Sequence, residues 1–179
     1  MKYNRDNGGD TMYKIGDRIV YPMHGAGTIV GVETKEMLGE EYQFYILKMP
    51  IADIRISIPV SNIDNMGIRP VMTKEEGVAV LEVLSQESTQ MSSNWSQRYR
   101  QNMENLKTGD PMEIAEIIRN LQIRDMEKGL STTEKKMLTN SKRMLVSELI
   151  ISGSLSAEEA MTMIDDAISV DEDLQIPED

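Results

Sequence analysis

The chain has 179 residues, 40% of them hydrophobic and none in a long apolar run, so it has room for two small domains and no stretch that would span a bilayer. It contains no cysteine, which excludes disulfides and thiolate metal sites and suits a reducing cytoplasm; its fifteen methionines offer adaptable packing where aromatics are scarce. A formal net charge of −11 predicts long-range repulsion from phosphate and therefore weak binding to free DNA.

In chain order, residues 1–11 lack both an apolar core and a cleavage site, and read as a disordered extension and not as a signal peptide. From Ile15 to Pro59, short apolar runs are cut by Gly16, Gly25, Gly27, Gly31, Gly39 and the Pro50 region, and Ile54-Arg55-Ile56-Ser57-Ile58 alternates with period two. About four strands with tight turns in so short a segment predict a small curled sheet or barrel of the SH3 or Tudor kind. Ser61 to Met66 reads as a helical turn, and Thr73 to Leu84 as a short helix joining a β half to an α half. Ser85 to Ser93, polar apart from Met91, reads as the hinge.

Beyond it, helix-start signals recur. Asp110-Pro111-Met112-Glu113 supplies an N-cap, a proline at the first helical position and a glutamate at the third; Ser131-Thr132-Thr133-Glu134 and Ser156-Ala157-Glu158-Glu159 are capping boxes, the first of them following Gly129. Helices are expected over 94–107, 111–127, 132–151 and 157–169, each with an apolar stripe, packed as one bundle. Residues 171–179 read as a disordered acidic tail. The chain is thus α+β: a small N-terminal Tudor/SH3-like β-barrel (12–72), a connecting helix and hinge (73–93), and a compact C-terminal helical domain (94–170).

The charge is unevenly placed. Residues 92–150 hold ten Lys or Arg against eight Asp or Glu, whereas residues 151–179 hold nine acids and no base, so the helical domain can offer phosphate a positive face. That block opens with Asn94-Trp95-Ser96-Gln97-Arg98-Tyr99-Arg100, which contains the single tryptophan. An aromatic ring among arginines suits a partly opened base step with flanking phosphates. Trp95, Tyr99, Asn102, Met103 and Leu106 also share a helical face, which suits a buried stripe. The sequence leaves both readings open. On the helix over 132–151, Lys135, Lys136, Lys142 and Arg143 lie within about 120° of one another, opposite Met137, Leu138, Met144, Leu145 and Leu149. Such a face is either a solvated surface or a phosphate-binding one.

Catalysis finds little support. His24 is the single histidine, and no cysteine exists to complete a metal site or a nucleophile pair. Gly25 and Gly27 lack the Lys-Ser/Thr ending and following helix of a phosphate loop. No enzyme activity, metal, cofactor or small-molecule substrate is expected.

Three separated motifs carry a resemblance. Tyr13-Lys14-Ile15-Gly16-Asp17-Arg18-Ile19-Val20-Tyr21-Pro22-Met23-His24-Gly25-Ala26-Gly27 resembles the opening of the CarD-like (CdnL) bacterial transcription regulators, an opening shared with the polymerase-binding module of transcription-repair coupling factors. Asn94 to Arg100 and Gly129-Leu130-Ser131-Thr132-Thr133-Glu134-Lys135-Lys136-Met137-Leu138 resemble that family's second half, and the likeness runs from about residue 12 to 169.

The resemblance implies that the N-terminal domain grips the β subunit of bacterial RNA polymerase, partly by adding an exposed strand edge to a strand of the partner. Lys35 matches a basic contact position. Where relatives carry a second arginine this chain has Ser57, with Arg55 two residues earlier on the same strand face. The resemblance further implies that Trp95 wedges into the minor groove of promoter DNA at the upstream edge of the melted region, with little sequence specificity, while Arg98, Arg100, Lys135, Lys136, Lys142 and Arg143 supply a backbone-binding face. The outcome would be a stabilised open complex, in a cytoplasmic protein held near the nucleoid through polymerase. The rival expectation is a protein-interaction adaptor with Trp95 buried and no DNA contact. The sequence does not decide whether promoters are activated or repressed.

Overall fold

The structure, a computed structural model, describes residues 13–169; the expected extension over 1–11 and tail over 171–179 lie outside the described residues. Five antiparallel strands come first: β1 (Arg18–Tyr21), β2 (Gly25–Met37), β3 (Glu40–Lys48), β4 (Arg55–Pro59) and β5 (Arg69–Pro70), in the order β4-β3-β2-β1-β5. A 3-10 turn, Val60–Asn65, follows β4 where a helical turn was expected. The fifth strand has only two residues, too few to show a period. Leu38 and Gly39 join β2 to β3 with φ of 56° and 80°, the two positive values that a tight two-residue hairpin turn requires. Inside the sheet, Ile19, Ile29, Tyr45, Leu47 and Ile58 are buried.

Five helices follow: α1 (Lys74–Leu84), α2 (Trp95–Thr108), α3 (Pro111–Lys128), α4 (Thr132–Gly153) and α5 (Ala157–Ser169). Asp110 and Ser131 cap their helices where the sequence puts them, each accepting a hydrogen bond from the first turn, and Pro111 opens α3; Asn94 caps α2 in the same way. Thr73 and Glu76 form a further capping box for α1.

One expectation is corrected here. The helix over 73–84 is not a connector, because Val80 and Leu84 are fully buried in the same core as Ile114, Ile118, Leu121, Leu145 and Ile164. Ser85 to Ser93 therefore lies within the helical domain, between α1 and α2. It is also tied down: Thr89 accepts from Asn120 Nδ2 at 2.7 Å and its hydroxyl donates to Glu116 at 2.6 Å, while its amide donates to Asn120 Oδ1 at 2.9 Å.

The two halves meet through α4, which lies against β2. The Ala26 amide donates to Ser147 Oγ at 2.8 Å, and a Cβ placed on Gly25 (φ 102°) would come within 2.5 Å of the same oxygen, so glycine is required by both conformation and space. Arg18 reaches the Ile151 carbonyl at 3.1 Å. Arg69 of β5 grips Glu148 of α4, whose carboxylate also accepts from the Met72 amide at 2.8 Å. Glu148 is 2% exposed, so its charge is matched inside the junction and not by water.

Candidate nucleic-acid and polymerase interfaces

Trp95 is the first residue of α2, directly after its Asn94 cap. A side chain there leans back past the helix end, and the indole is 46% exposed. The apolar stripe of α2 still forms, from half-buried Tyr99 through Asn102 to buried Leu106. The buried tryptophan of the adaptor reading is therefore corrected. Tyr99 stacks beneath the indole, with ring centroids 5.9 Å apart and planes 20° apart. The indole Nε1 donates to Ser131 Oγ at 3.0 Å, which joins the first turn of α2 to the cap of α4.

That bond ties the ring to the start of α4, whose first turns carry two lysines. Lys135 and Lys136 begin about 6 Å along the α4 axis from Ser131, and both are exposed, with Thr132, Thr139 and Asn140 completing a shallow concavity. Lys135 has only a loose counter-charge, Asp125 at 3.8 Å. Among the described residues, Lys136 and Arg100 have no acidic partner within ion-pair distance. Arg100 is exposed on α2, about 140° around the helix from Trp95.

Three expected contacts are placed elsewhere. Arg98 is 3% exposed, its Nη2 lying 2.6 Å from Glu134 Oε1 and its Nη1 donating to the Ser92 carbonyl at 2.7 Å; it is a buried, paired cation. Lys142 turns toward α5, where Asp165 lies 2.7 Å away and leaves its side chain 16% exposed. Arg143, about 18 Å along α4 from Ser131, faces the sheet. There it lines a cavity of 220 Å³ with His24, Met49, Ile51, Ile54 and Ile56. Burial, and then the Arg143 charge, hold the His24 pKa below its ordinary 6.5.

Sequence reasoning read Ser131 and Glu134 only as a capping box and missed their part in this surface. Burial pushes the Glu134 carboxyl up, but hydrogen bonds from Ser131 and Arg98 outweigh it and hold the pKa below the ordinary 4.5. The S-T-T-E pattern gives no sign of a partner 36 residues upstream.

On the sheet, Lys35, Arg55 and Ser57 share one face, because β3 pairs Lys35 with Tyr42, Ser57 with Ile46 and Arg55 with Lys48. The same register separates Lys35 from Arg55 by six residues, about 20 Å, so the two cations do not form one patch. Lys35 lies on the protruding β2–β3 arm, 3.7 Å from Glu33 and 5.2 Å from the Phe44 ring centroid. Arg55 and Ser57 are exposed on β4, an edge strand. A second edge is open: among the described residues, Gly31 to Met37 pair with β3 alone, since β1 reaches only to Thr28.

A small antiparallel sheet with open edges, docked on a helical domain with an exposed tryptophan, defines an α+β protein of two packed parts. Comparison with known proteins agrees. Residues 13–72 match the family model "CarD-like/TRCF RID domain" and residues 79–165 match "CarD, C-terminal domain". The chain is 41% identical over 138 residues to a Bacillus subtilis (strain 168) protein titled "Putative transcription factor YdeB", covering 77% of this chain and 90% of that one. It belongs to the CarD-like family: a transcription regulator, not of an enzyme family, with an RNA polymerase-interacting domain at its N-terminus. The C-terminal match begins inside α1, consistent with the placement of that helix in the helical core.

Proposed function

We propose that this protein binds the β subunit of RNA polymerase through the open edges of its sheet and promoter DNA through the Trp95 corner, and so stabilises the open complex from the cytoplasm. The observation that carries the reading is the half-exposed indole of Trp95, backed by Tyr99 and bonded to the cap of α4, the helix whose first turns expose Lys135 and Lys136.

The polymerase grip draws mainly on main-chain hydrogen bonds. A strand added along β4 or the outer part of β2 satisfies donors and acceptors that otherwise face water. Lys35 contributes less through charge, because Glu33, Glu36, Glu40 and Glu41 crowd the same arm.

The DNA contact works by difference. A ligand shifts the closed–open equilibrium only by its excess affinity for one state. An aromatic ring that stacks on a disturbed base step gains about 1 to 3 kcal/mol only once the step has opened. Lys135, Lys136 and Arg100 then hold backbone without reading bases. The overall charge of −11 does not prevent this, since tethering to polymerase raises the local concentration toward about millimolar.

A mobility shift of polymerase on promoter DNA, with and without the protein, addresses both grips together. Supershift with a longer-lived open complex is expected; a supershift with no gain in lifetime leaves the polymerase contact standing and rejects the wedge.

A further inference from the structure

The hydroxyl of Ser131 has its bonding capacity filled in an unusual way. It donates to Glu134 Oε2 at 2.8 Å, accepts from the Glu134 amide at 3.3 Å, and spends its remaining acceptor position on Trp95 Nε1 at 3.0 Å. The second of these, together with the Ser131 amide donating to Glu134 Oε2 at 3.2 Å, is the capping box that starts α4. The third serves no helix; it crosses 36 residues of chain to hold the one polar atom of the indole.

Behind Ser131 stands the Arg98–Glu134 pair. Glu134 Oε1 receives Arg98 Nε at 2.7 Å and Nη2 at 2.6 Å, and Arg98 Nη1 holds the Ser92 carbonyl, three residues before Trp95. A single buried ion pair thus clamps the chain entering α2 and the cap of α4. The indole is fixed at its nitrogen edge by Ser131 and on one face by Tyr99.

We propose that Ser131 is a positioning residue for Trp95: its hydroxyl, held by the Arg98–Glu134 pair, orients the indole and takes up its only hydrogen-bond donor, so that the ring meets promoter DNA as an apolar plate. This rests on the wedge reading of the preceding section and adds two consequences to it. The ring has no donor left for a base edge, so insertion depends on how easily a step unstacks and not on which base is present. The ring is also ordered before it binds, which removes an ordering cost of about 2- to 12-fold in the equilibrium. Arg98 acts on DNA through Ser131 and touches no phosphate.

The test compares Ser131→Gly with Ser131→Thr. Threonine and glycine are similar N-caps, so α4 starts at comparable cost in both, and only threonine keeps a hydroxyl. The single tryptophan gives one indole NH signal in the NMR spectrum, and its exchange with solvent is measured in the free protein. We expect Ser131→Thr to retain a slowly exchanging indole proton and the wild-type open-complex lifetime. We expect Ser131→Gly to show faster exchange and a lifetime about 2- to 12-fold shorter, with polymerase binding unchanged. Wild-type exchange in Ser131→Gly, or faster exchange with a wild-type lifetime, overturns the positioning role while Trp95→Ala still shortens the lifetime. If Trp95→Ala has no effect, the wedge itself fails and positioning fails with it.

A second arm leaves the α4 cap unchanged in its reference protein. Trp95→Phe removes the donor, so adding Ser131→Gly in that background should shorten the lifetime no further. A further loss there would mean that Ser131 acts by some route other than the indole.

Discussion

Arg69 in the last strand holds Glu148 in the longest helix with both terminal guanidinium nitrogens, at 2.6 and 2.8 Å, while Nε and Nη2 of the same side chain reach the Gly109 carbonyl at 2.9 and 2.7 Å. Sheet and helices are thereby joined by a bidentate, charge-assisted contact. Arg69→Ala would leave the Glu148 carboxylate buried with the Met72 amide as its remaining partner. A loss of about 2 to 4 kcal/mol is expected, somewhat under the range for fully buried pairs because the guanidinium is 25% exposed. The urea midpoint reads it, and a shift within experimental error would mean that the domains dock without this contact.

Trp95→Ala should spare both the fold and polymerase recruitment, since the ring is half-exposed and far in sequence from the sheet. It should shorten the open-complex lifetime by about 5-fold or more, the stacking of a single base. Intrinsic fluorescence gives a direct check, because the free protein should show red-shifted emission that responds to forked DNA.

Arg98 and Lys136 should separate cleanly. Arg98→Ala strands Glu134 in the interior and is expected to cost about 3 to 5 kcal/mol of stability. Lys136→Ala should leave the denaturation curve unchanged and reduce the slope of log affinity against log salt for duplex DNA by about 0.9, one phosphate contact. An unchanged slope would remove Lys136 from the DNA face.

Acid should weaken the same clamp. The Glu134 pKa in the fold lies below its ordinary 4.5, so the unfolded chain takes up the proton first. The contribution is complete above about pH 4.5 and is lost as pH falls through the folded value. Urea midpoints from pH 7 to pH 3 should show Glu134→Gln converging on wild type toward the acid end; parallel curves would contradict the shift.

His24, the single histidine, can be titrated by NMR without assignment. Burial and then Arg143 depress its pKa below 6.5, so stability is lost as pH drops from 6.5 through the folded value. Arg143→Gln should raise the His24 pKa part of the way back, burial remaining in force. No change would show that the guanidinium points away from the ring.

Helix ends and the division into sheet and helices were legible in the sequence, because each is set by residues a few positions apart. Asn94, Asp110-Pro111 and Ser131-Glu134 satisfy the first amides of their own helices. Alternation through Arg55–Pro59 likewise puts Ser57 outward and Ile58 inward with no help from afar. The role of α1 was not legible, since an amphipathic helix reads the same whether its apolar face meets the sheet or the bundle. Nor was the fate of individual cations. Arg98 and Arg100 stand two residues apart in one basic motif, yet one is sealed against Glu134 and the other faces water. Lys142 and Arg143 are adjacent, and α5 claims the first while the sheet takes the second. Local sequence determined where the cations stand on each helix; the tertiary structure decided that Arg98 is buried, because a buried charge must find a partner and Glu134 lies 36 residues away along the chain.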